Sequence, residues 1–593
     1  MAREYDRRNL DFILKEVFDT ASLCNYPRYA DYTPDMFDMV LDSADAIAEK
    51  YLRPIYVDSD RKAAELVDGV VHVHPGIEPY MKEMGESGMI GCTFDIEHGG
   101  QQVPSMIGGA HEFIRGAAHN SAVMFTGLSH GAAHLIASFG SKELADTYVP
   151  NMLSGKWAGT MCLTEPQAGS SLNDASTSAK DLGNGTYAIK GQKIFISGGD
   201  NHFSENIIHL VLARLEGAPA GTKGISLFVV PKKRIENGTL VNNEVVSLGV
   251  YHKMGQKATP ALHLSFGDKG NSIGYLVGEP NKGLSYMFQM MNEARLGVGM
   301  GGAYIASAAY HASKQYANER AQGRLLTNKD PNTPPTLIKN HPDVQRMLYF
   351  QKAIVEGSMG LLFQCFMWDD LAKSLEGEEK KEAQMMLDLM TTVAKTYPAE
   401  MGILAVNQGL QVLGGYGYTE DFPLEQMARD VRIMSIYEGT TGIHGLTLLG
   451  RGIPSEQGKA VQALVKLIQA DIAQGMTNEI TKPYAEILAN ELASLNKVTM
   501  HKLSKAAQPD VFLADSTLYM ELFGLIVVAW QWLKQGNVAA AKLDSTEKSF
   551  YQDKIHTMKF FYHYEVPKAL GLTKRLLDDE IPPVVRRLRD LER

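Results

Sequence analysis

The stretch IMSIYEGTTGIHG, residues 433–445, sets one acidic residue, Glu438, between an apolar run and a cluster of glycine and threonine. A carboxylate beside Ile433, Met434, Ile436 and Tyr437 is costly to desolvate if it serves only as scaffolding. Where water is scarce its affinity for a proton rises, which suits a general base that removes a proton from carbon. A second candidate is AGTMCLTEPQAGSSLNDAST, residues 158–176, where a strand-like start runs into a loop. The hydroxyls of Thr164, Ser170 and Ser171 and the amide of Gly169 suit the polar edge of a cofactor. Pro166 fixes the bend, and Gly169 permits close approach. On residue chemistry alone, an ordinary polar loop is the simpler reading.

Other patterns read as scaffolding. GLSHG at 127–131 matches the G-x-S-x-G of hydrolase nucleophile elbows, which need a strand before the serine and a helix after it. Its flanks, SAVMFTGLSHGAAHLIASFG, read instead as helix packing rich in glycine and alanine. His130 and His134 share a helix face, but no glutamate follows the first histidine as in zinc peptidases, so no metal site is expected. His72 and His74 alternate before Pro75 and read as surface residues. LGGYGY at 413–418 lacks the strand and helix of a Rossmann fingerprint and says only that backbone passes close to something.

The elements that position these residues follow from periodicity. Residues 1–155 are read as an N-terminal helical domain, with apolar residues three and four apart in PDMFDMVLDSADAIAEKYL. Residues 156–278 are read as a β domain: Asn184-Gly185 signals a turn between alternating strands, and IIHLVLAR and GISLFVVP are bounded by glycine or proline. Helical texture returns over 279–454, and a further helical block over 455–593 follows a boundary marked by GIPSEQG. NKDPNTPP at 328–335 reads as an exposed loop. The fold class is therefore mainly α with a central β domain.

A chain of 593 residues with 45% hydrophobic and 21% charged residues buries a large core. Its net charge of -10 gives no global field for nucleic acid, and the basic residues of the last twenty are interleaved with five acids. Four cysteines without a CxxC pair fit a reducing cytoplasm rather than a disulfide scaffold. The charged N-terminus lacks the apolar core of a signal peptide, and the apolar run 522–533 is too short to span a bilayer and reads as a buried helix. A cytoplasmic protein without stable membrane insertion is expected.

Taken together, residues from about 80 to 450 resemble the acyl-CoA dehydrogenase family. Leu163-Thr164-Glu165-Pro166-Gln167-Ala168-Gly169-Ser170 is similar to its flavin loop, and GQKIFISGG to its second flavin strand. YANERAQGR resembles the segment that reaches the flavin of a neighbouring subunit. QVLGGYGYTEDFPLEQMARDVRIMSIYEGTTGIHG resembles the signature that ends in the catalytic glutamate. The resemblance implies an N-terminal helical domain, a middle β-barrel and a C-terminal four-helix bundle. The added C-terminal block, with the loop region HPDVQRML at 341–348, is similar to large bacterial members such as 3-methylmercaptopropionyl-CoA dehydrogenase-like enzymes.

The same resemblance implies FAD held by Met161, Leu163, Thr164, Gly169, Ser170, Phe195, Ser197, Gln411, Gly414, Gly415 and Thr440, with Arg320 against the diphosphate across a homodimer. It implies an acyl-CoA substrate near Ser170, Arg295, Tyr437 and Gly439, and Glu438 as the base for α,β-dehydrogenation. Some relatives carry the base just before an arginine equivalent to Arg295, where this chain has Ala294 with Glu293 one residue off, about 100° round a helix. Ser171 stands where many members have Asp, and Gly442 and His444 stand where many have Gln. The α-proton goes to Glu438, whose pKa apolar neighbours are expected to raise. The thioester carbonyl takes hydrogen bonds worth on the order of 3 kcal/mol each. The β-hydrogen leaves as hydride to the flavin, and electrons pass to an electron-transfer flavoprotein. Three other readings share the resemblance: an acyl-CoA oxidase, a DNA-associated flavoprotein of the alkylation-response type, and a membrane-associated very-long-chain dehydrogenase.

Overall fold

The computed structural model describes residues 3–328 and 330–591 and divides into two compact units. One unit is Asp35–Gly297; the other joins the residues up to Pro34 with those from Val298 onward.

In the first unit, helices α1 (Pro34–Ile47), α2 (Ile77–Glu86), α3 (Ser105–Ala118), α4 (Val123–Phe139) and α5 (Lys142–Leu153) precede an eight-stranded sheet. Its strands are β1 (Trp157–Cys162), β2 (Ser178–Asp181), β3 (Tyr187–Ser197), β4 (Asn206–Leu215), β5 (Ile225–Pro231), β6 (Val245–Val250), β7 (Ala261–Phe266) and β8 (Ser272–Val277). The order is β6-β7-β3-β8-β5-β4-β1, and β2 pairs with both β3 and β4. That double pairing closes β2, β3, β8, β5 and β4 into a ring, which is the expected β-barrel and leaves those strands no free edge between them. β1, β5 and most of β4 are buried along their length, matching their unbroken apolar runs. The Asn184-Gly185 turn joins β2 to β3 with Asp181 opposite Tyr187; Gly185 takes φ +80° and the Asn184 side chain accepts from the Thr186 amide.

Two histidine and serine readings are settled here. Ser129 of GLSHG lies inside α4, buried, with its hydroxyl accepting from the Gly159 amide, so no elbow forms. His74 is buried rather than superficial and reaches the Asp58 carboxylate at 2.9 Å, whereas His72 is exposed. Among the described residues no group of three or more His, Cys, Asp or Glu could hold a metal.

The long helix α6 (Gly283–Glu319) gives its residues from Val298 onward to the second unit. There it packs on α7 (Pro342–Ser374) and α8 (Gly377–Leu413), and α8 in turn carries α9 (Leu424–Val431) and the short α10 (Thr441–Thr447). HPDVQRML is not a loop: His341 precedes α7, and Pro342 takes its first position, where a missing N–H costs nothing. Residues 328–335 are irregular and largely exposed, with Lys329 outside the described residues.

The extra block supplies α11 (Lys459–Gly475), α12 (Lys482–Leu503), α13 (Ser516–Ala541) and α14 (Lys548–Tyr564). The run 522–533 is part of the longer α13, which, unlike the run alone, is long and apolar enough to cross a membrane; 83% of its most apolar window is buried inside the fold, in keeping with the expected buried helix. Trp532 donates to the Ala353 carbonyl at 3.0 Å and Gln535 to that of Glu356 at 3.2 Å, tying α13 to α7. At the other end of α13, the Ser516 carbonyl lies 2.8 Å from where a side chain at Gly445 of α10 would begin. Only glycine lets those two backbones approach so closely.

Candidate active site

The flavin-loop residues cluster on one side of the barrel. Met161 is the last but one residue of β1 and is buried; Leu163 and Thr164, after the strand, are half-buried, and Gly169 and Ser170 are exposed. The loop lies along β3: the Ile194 amide donates to the Thr164 carbonyl at 2.9 Å. Beneath it is an ion pair that motif reading passed over. Lys193 and Glu165 are both buried and meet at 2.8 Å, and Lys193 also donates to the Leu163 carbonyl. Glu165 further accepts from the amides of Ser176 and Thr177. Burial pulls this carboxyl up, but the Lys193 ammonium and the hydrogen bonds outweigh it and hold the pKa at about 2; burial pulls Lys193 down. Residues 163–165 are therefore held to β3 ahead of the bend at Pro166, and Glu165 ties the far end of the loop back to them through Ser176 and Thr177.

Phe195 stands out within β3. Between Lys193 and Ile196 the strand has one more residue than its partner has between Leu264 and Leu262, a β-bulge. Phe195 has φ +57° and is 58% exposed, its ring 4.5 Å from that of Tyr251. Ser197 follows, half-buried at the end of the strand. The bulge re-aims an aromatic side chain outward beside the hydroxyls of the loop. Arg295 is 7% exposed and its guanidinium donates to Asn292 at 3.2 Å. Glu293, the alternative acid, is paired with His134 at 2.9 Å.

In the second unit, Arg320, Gln411, Gly414 and Gly415 come together. They line one cavity of about 670 Å³ with Tyr316, His341 and Tyr416. Gly414 ends α8 with φ +61°, and the backbone at both glycines faces open space. A guanidinium, a carboxamide, bare backbone and tyrosine rings are a donor and stacking set that fits the diphosphate and purine of a dinucleotide.

Glu438 is half-buried at φ +53°, and Gly439 follows at φ +92°. Of the apolar neighbours, Met434 is buried and Ile436 is 46% exposed, so the apolar flank is one-sided. Tyr437 is half-buried with its hydroxyl donating to the Met434 sulfur. The Thr440 hydroxyl caps α10 by accepting from the Ile443 amide. Two side chains fix the carbonyls of this turn, one of them, Lys395, not marked by any motif. The His444 ring N–H donates to the Glu438 carbonyl at 3.0 Å, and Lys395 of α8 donates to the Gly439 carbonyl at 2.9 Å. Thr441 donates from its hydroxyl to Glu400, also on α8.

Comparison with known proteins agrees with this arrangement. Four family models match in order: the acyl-CoA dehydrogenase N-terminal domain at residues 35–156, its middle domain at 160–268, its C-terminal domain at 340–453, and an acetyl-CoA dehydrogenase C-terminal-like domain at 464–580. The chain is 35% identical over 557 residues to 3-methylmercaptopropionyl-CoA dehydrogenase of Ruegeria pomeroyi, covering 91% of this chain and 93% of that one. It is 33% identical over 600 residues to a broad-specificity linear acyl-CoA dehydrogenase of Mycobacterium tuberculosis, covering 96% of each. An acyl-CoA dehydrogenase of Bacillus anthracis, solved in complex with FAD, shares the fold with a TM-score of 0.74 at 20% identity, over 98% of this chain and 94% of that one.

Proposed function

Because the chain belongs to the acyl-CoA dehydrogenase family, an oxidoreductase family that uses FAD, we propose that Glu438 is the base that takes the α-proton of an acyl-CoA thioester and that the product is the trans-2-enoyl-CoA. When bound, FAD supplies the two-electron acceptor for the β-hydrogen. The residues of the chain supply alignment. Thr164, Ser170 and Ser197 offer hydroxyls to the ring edge of the flavin, and Phe195 its aromatic face. Arg320, Gln411 and the Gly414–Gly415 backbone hold the far end of a dinucleotide, that of a second copy of the chain in a homodimer. Tyr437 and Gly439 flank the substrate beside the base.

The observation that carries the reading is the turn at Glu438. A non-glycine residue in left-handed backbone is unfavourable and persists where the surroundings impose it, which is characteristic of functional positions. Glu438→Gln is expected to keep FAD and to lose about 10³-fold or more in turnover; near-normal activity would remove the base from the proposal. The substrates to screen are straight-chain acyl-CoAs from butyryl-CoA upward together with 3-methylmercaptopropionyl-CoA, with flavin bleaching as the readout.

We further propose an electron-transfer flavoprotein as the acceptor. Reduction of that protein without hydrogen peroxide supports it, and stoichiometric peroxide would make the enzyme an oxidase. The four cysteines are all unpaired, which supports a reducing cytoplasm as the working compartment.

A further inference from the structure

We propose that Lys395 and His444 are positioning residues for the Glu438 carboxylate, acting through the backbone of the turn that bears it; this rests on Glu438 being the base. Glu438 and Gly439 are successive residues with positive φ, +53° and +92°. Glu438 is the member that needs outside restraint, because an L-residue there relaxes toward right-handed or extended backbone when nothing opposes it, whereas glycine takes positive φ freely. The restraint is one buried donor per carbonyl. His444, 0% exposed, donates to the Glu438 carbonyl, and Lys395, also 0% exposed, to that of Gly439.

The two donors come from different places, so together they fix both position and direction. His444 rides on α10, whose start is capped by Thr440. Lys395 lies on α8, where Glu400 also accepts from Thr441. The turn is thus tied to the bundle at two points and to its own following helix at a third. The His444 ring is placed so close that a Cβ on residue 439 would lie 2.8 Å from Nε2. A fully buried lysine carries a large desolvation penalty and is rarely used where a neutral donor would do. Fixing consecutive peptide planes fixes the Cα–Cβ direction of Glu438. A proton transfer from carbon demands that accuracy, since a displacement of about 1 Å can cost about 100-fold in rate.

The test uses the holoenzyme and the acyl-CoA it oxidises fastest in the chain-length series. His444→Phe and Lys395→Met are expected to lower kcat about 10- to 100-fold, with KM within about threefold and FAD content unchanged. Exchange of the substrate α-hydrogen with D2O, which needs the base alone, should fall by the same factor. His444→Gln keeps a donor and should recover kcat to within about threefold of wild type. Unchanged kcat in both His444→Phe and Lys395→Met would overturn the proposal. So would loss of FAD in either, or a His444→Gln as slow as His444→Phe. Glu438→Gln measured alongside separates the two readings. If it stays active, the base assignment itself fails; if it is inactive while the other variants are normal, only the positioning role fails.

Discussion

At the scale of single residues, Gly439 is the position where backbone and packing demands coincide. Its φ of +92° disfavours any side chain, and the His444 ring fills the space a Cβ would need. Gly439→Ala is therefore expected to destabilise the turn by about 1–3 kcal/mol and to lower kcat more than it lowers the melting temperature. Thermal unfolding and steady-state kinetics on one preparation check this. Glu438 was legible in the sequence because its oddity is local: an acid amid apolar residues, in a motif of consecutive positions. Lys395 was not, because its partner lies 44 residues away and nothing local marks a lysine that will be buried. His444 was visible only as a departure from the pattern of relatives, and its donor role needed the turn in three dimensions.

At the scale of elements, the loop at 163–170 depends on the Glu165–Lys193 pair. Glu165→Gln leaves the Lys193 ammonium buried without its counter-charge and should cost about 3–5 kcal/mol. The double variant Glu165→Gln/Lys193→Met should recover much of that loss, which chemical denaturation of all three proteins would measure. The pH dependence has a defined sign. Glu165 is held at about 2 against 4.5 in the unfolded chain, so its stabilisation is complete above 4.5 and is lost as pH falls from there toward 2. Glu165→Gln should flatten the acid limb of the stability curve over that window, and an unchanged limb would contradict the assignment. The alternation of β3 and the Asn184-Gly185 turn made the hairpin readable. The bulge at Phe195 was not, since it arises from the register against β7 and leaves no trace in composition. HPDVQRML, expected as a loop region, instead opens α7 at Pro342.

At the scale of the whole molecule, the proposed dimer makes a sharp forecast. Arg320→Ala should bind FAD poorly because the residue serves the partner's cofactor, and Glu438→Gln should bind it and be inactive. Co-expressed, the two variants should regain about a quarter of wild-type activity, since half the dimers are mixed and each has one intact site. No recovery would place Arg320 at its own subunit's cofactor. The succession of helices, β domain and helices was readable from periodicity, and so was the burial of the 522–533 run, because composition changes at element boundaries; closure of the β domain into a barrel was implied only by the family resemblance. How the last block engages the bundle was not readable, for its contacts with α7, α8 and α10 join residues far apart in the chain, among them the buried Lys554–Glu356 pair and the packing of Trp532 on Gly357. One of these has a bearing on how the chain can change over evolutionary time. Where Ser516 abuts Gly445, the start of α13 is a wall behind the helix that follows Glu438. Substitutions that shift the start of α13 would then be felt in turnover as well as in stability. The appended block should accordingly vary in step with the glycine-rich turn it leans on, and a block grafted from a relative should work only when that turn is moved with it.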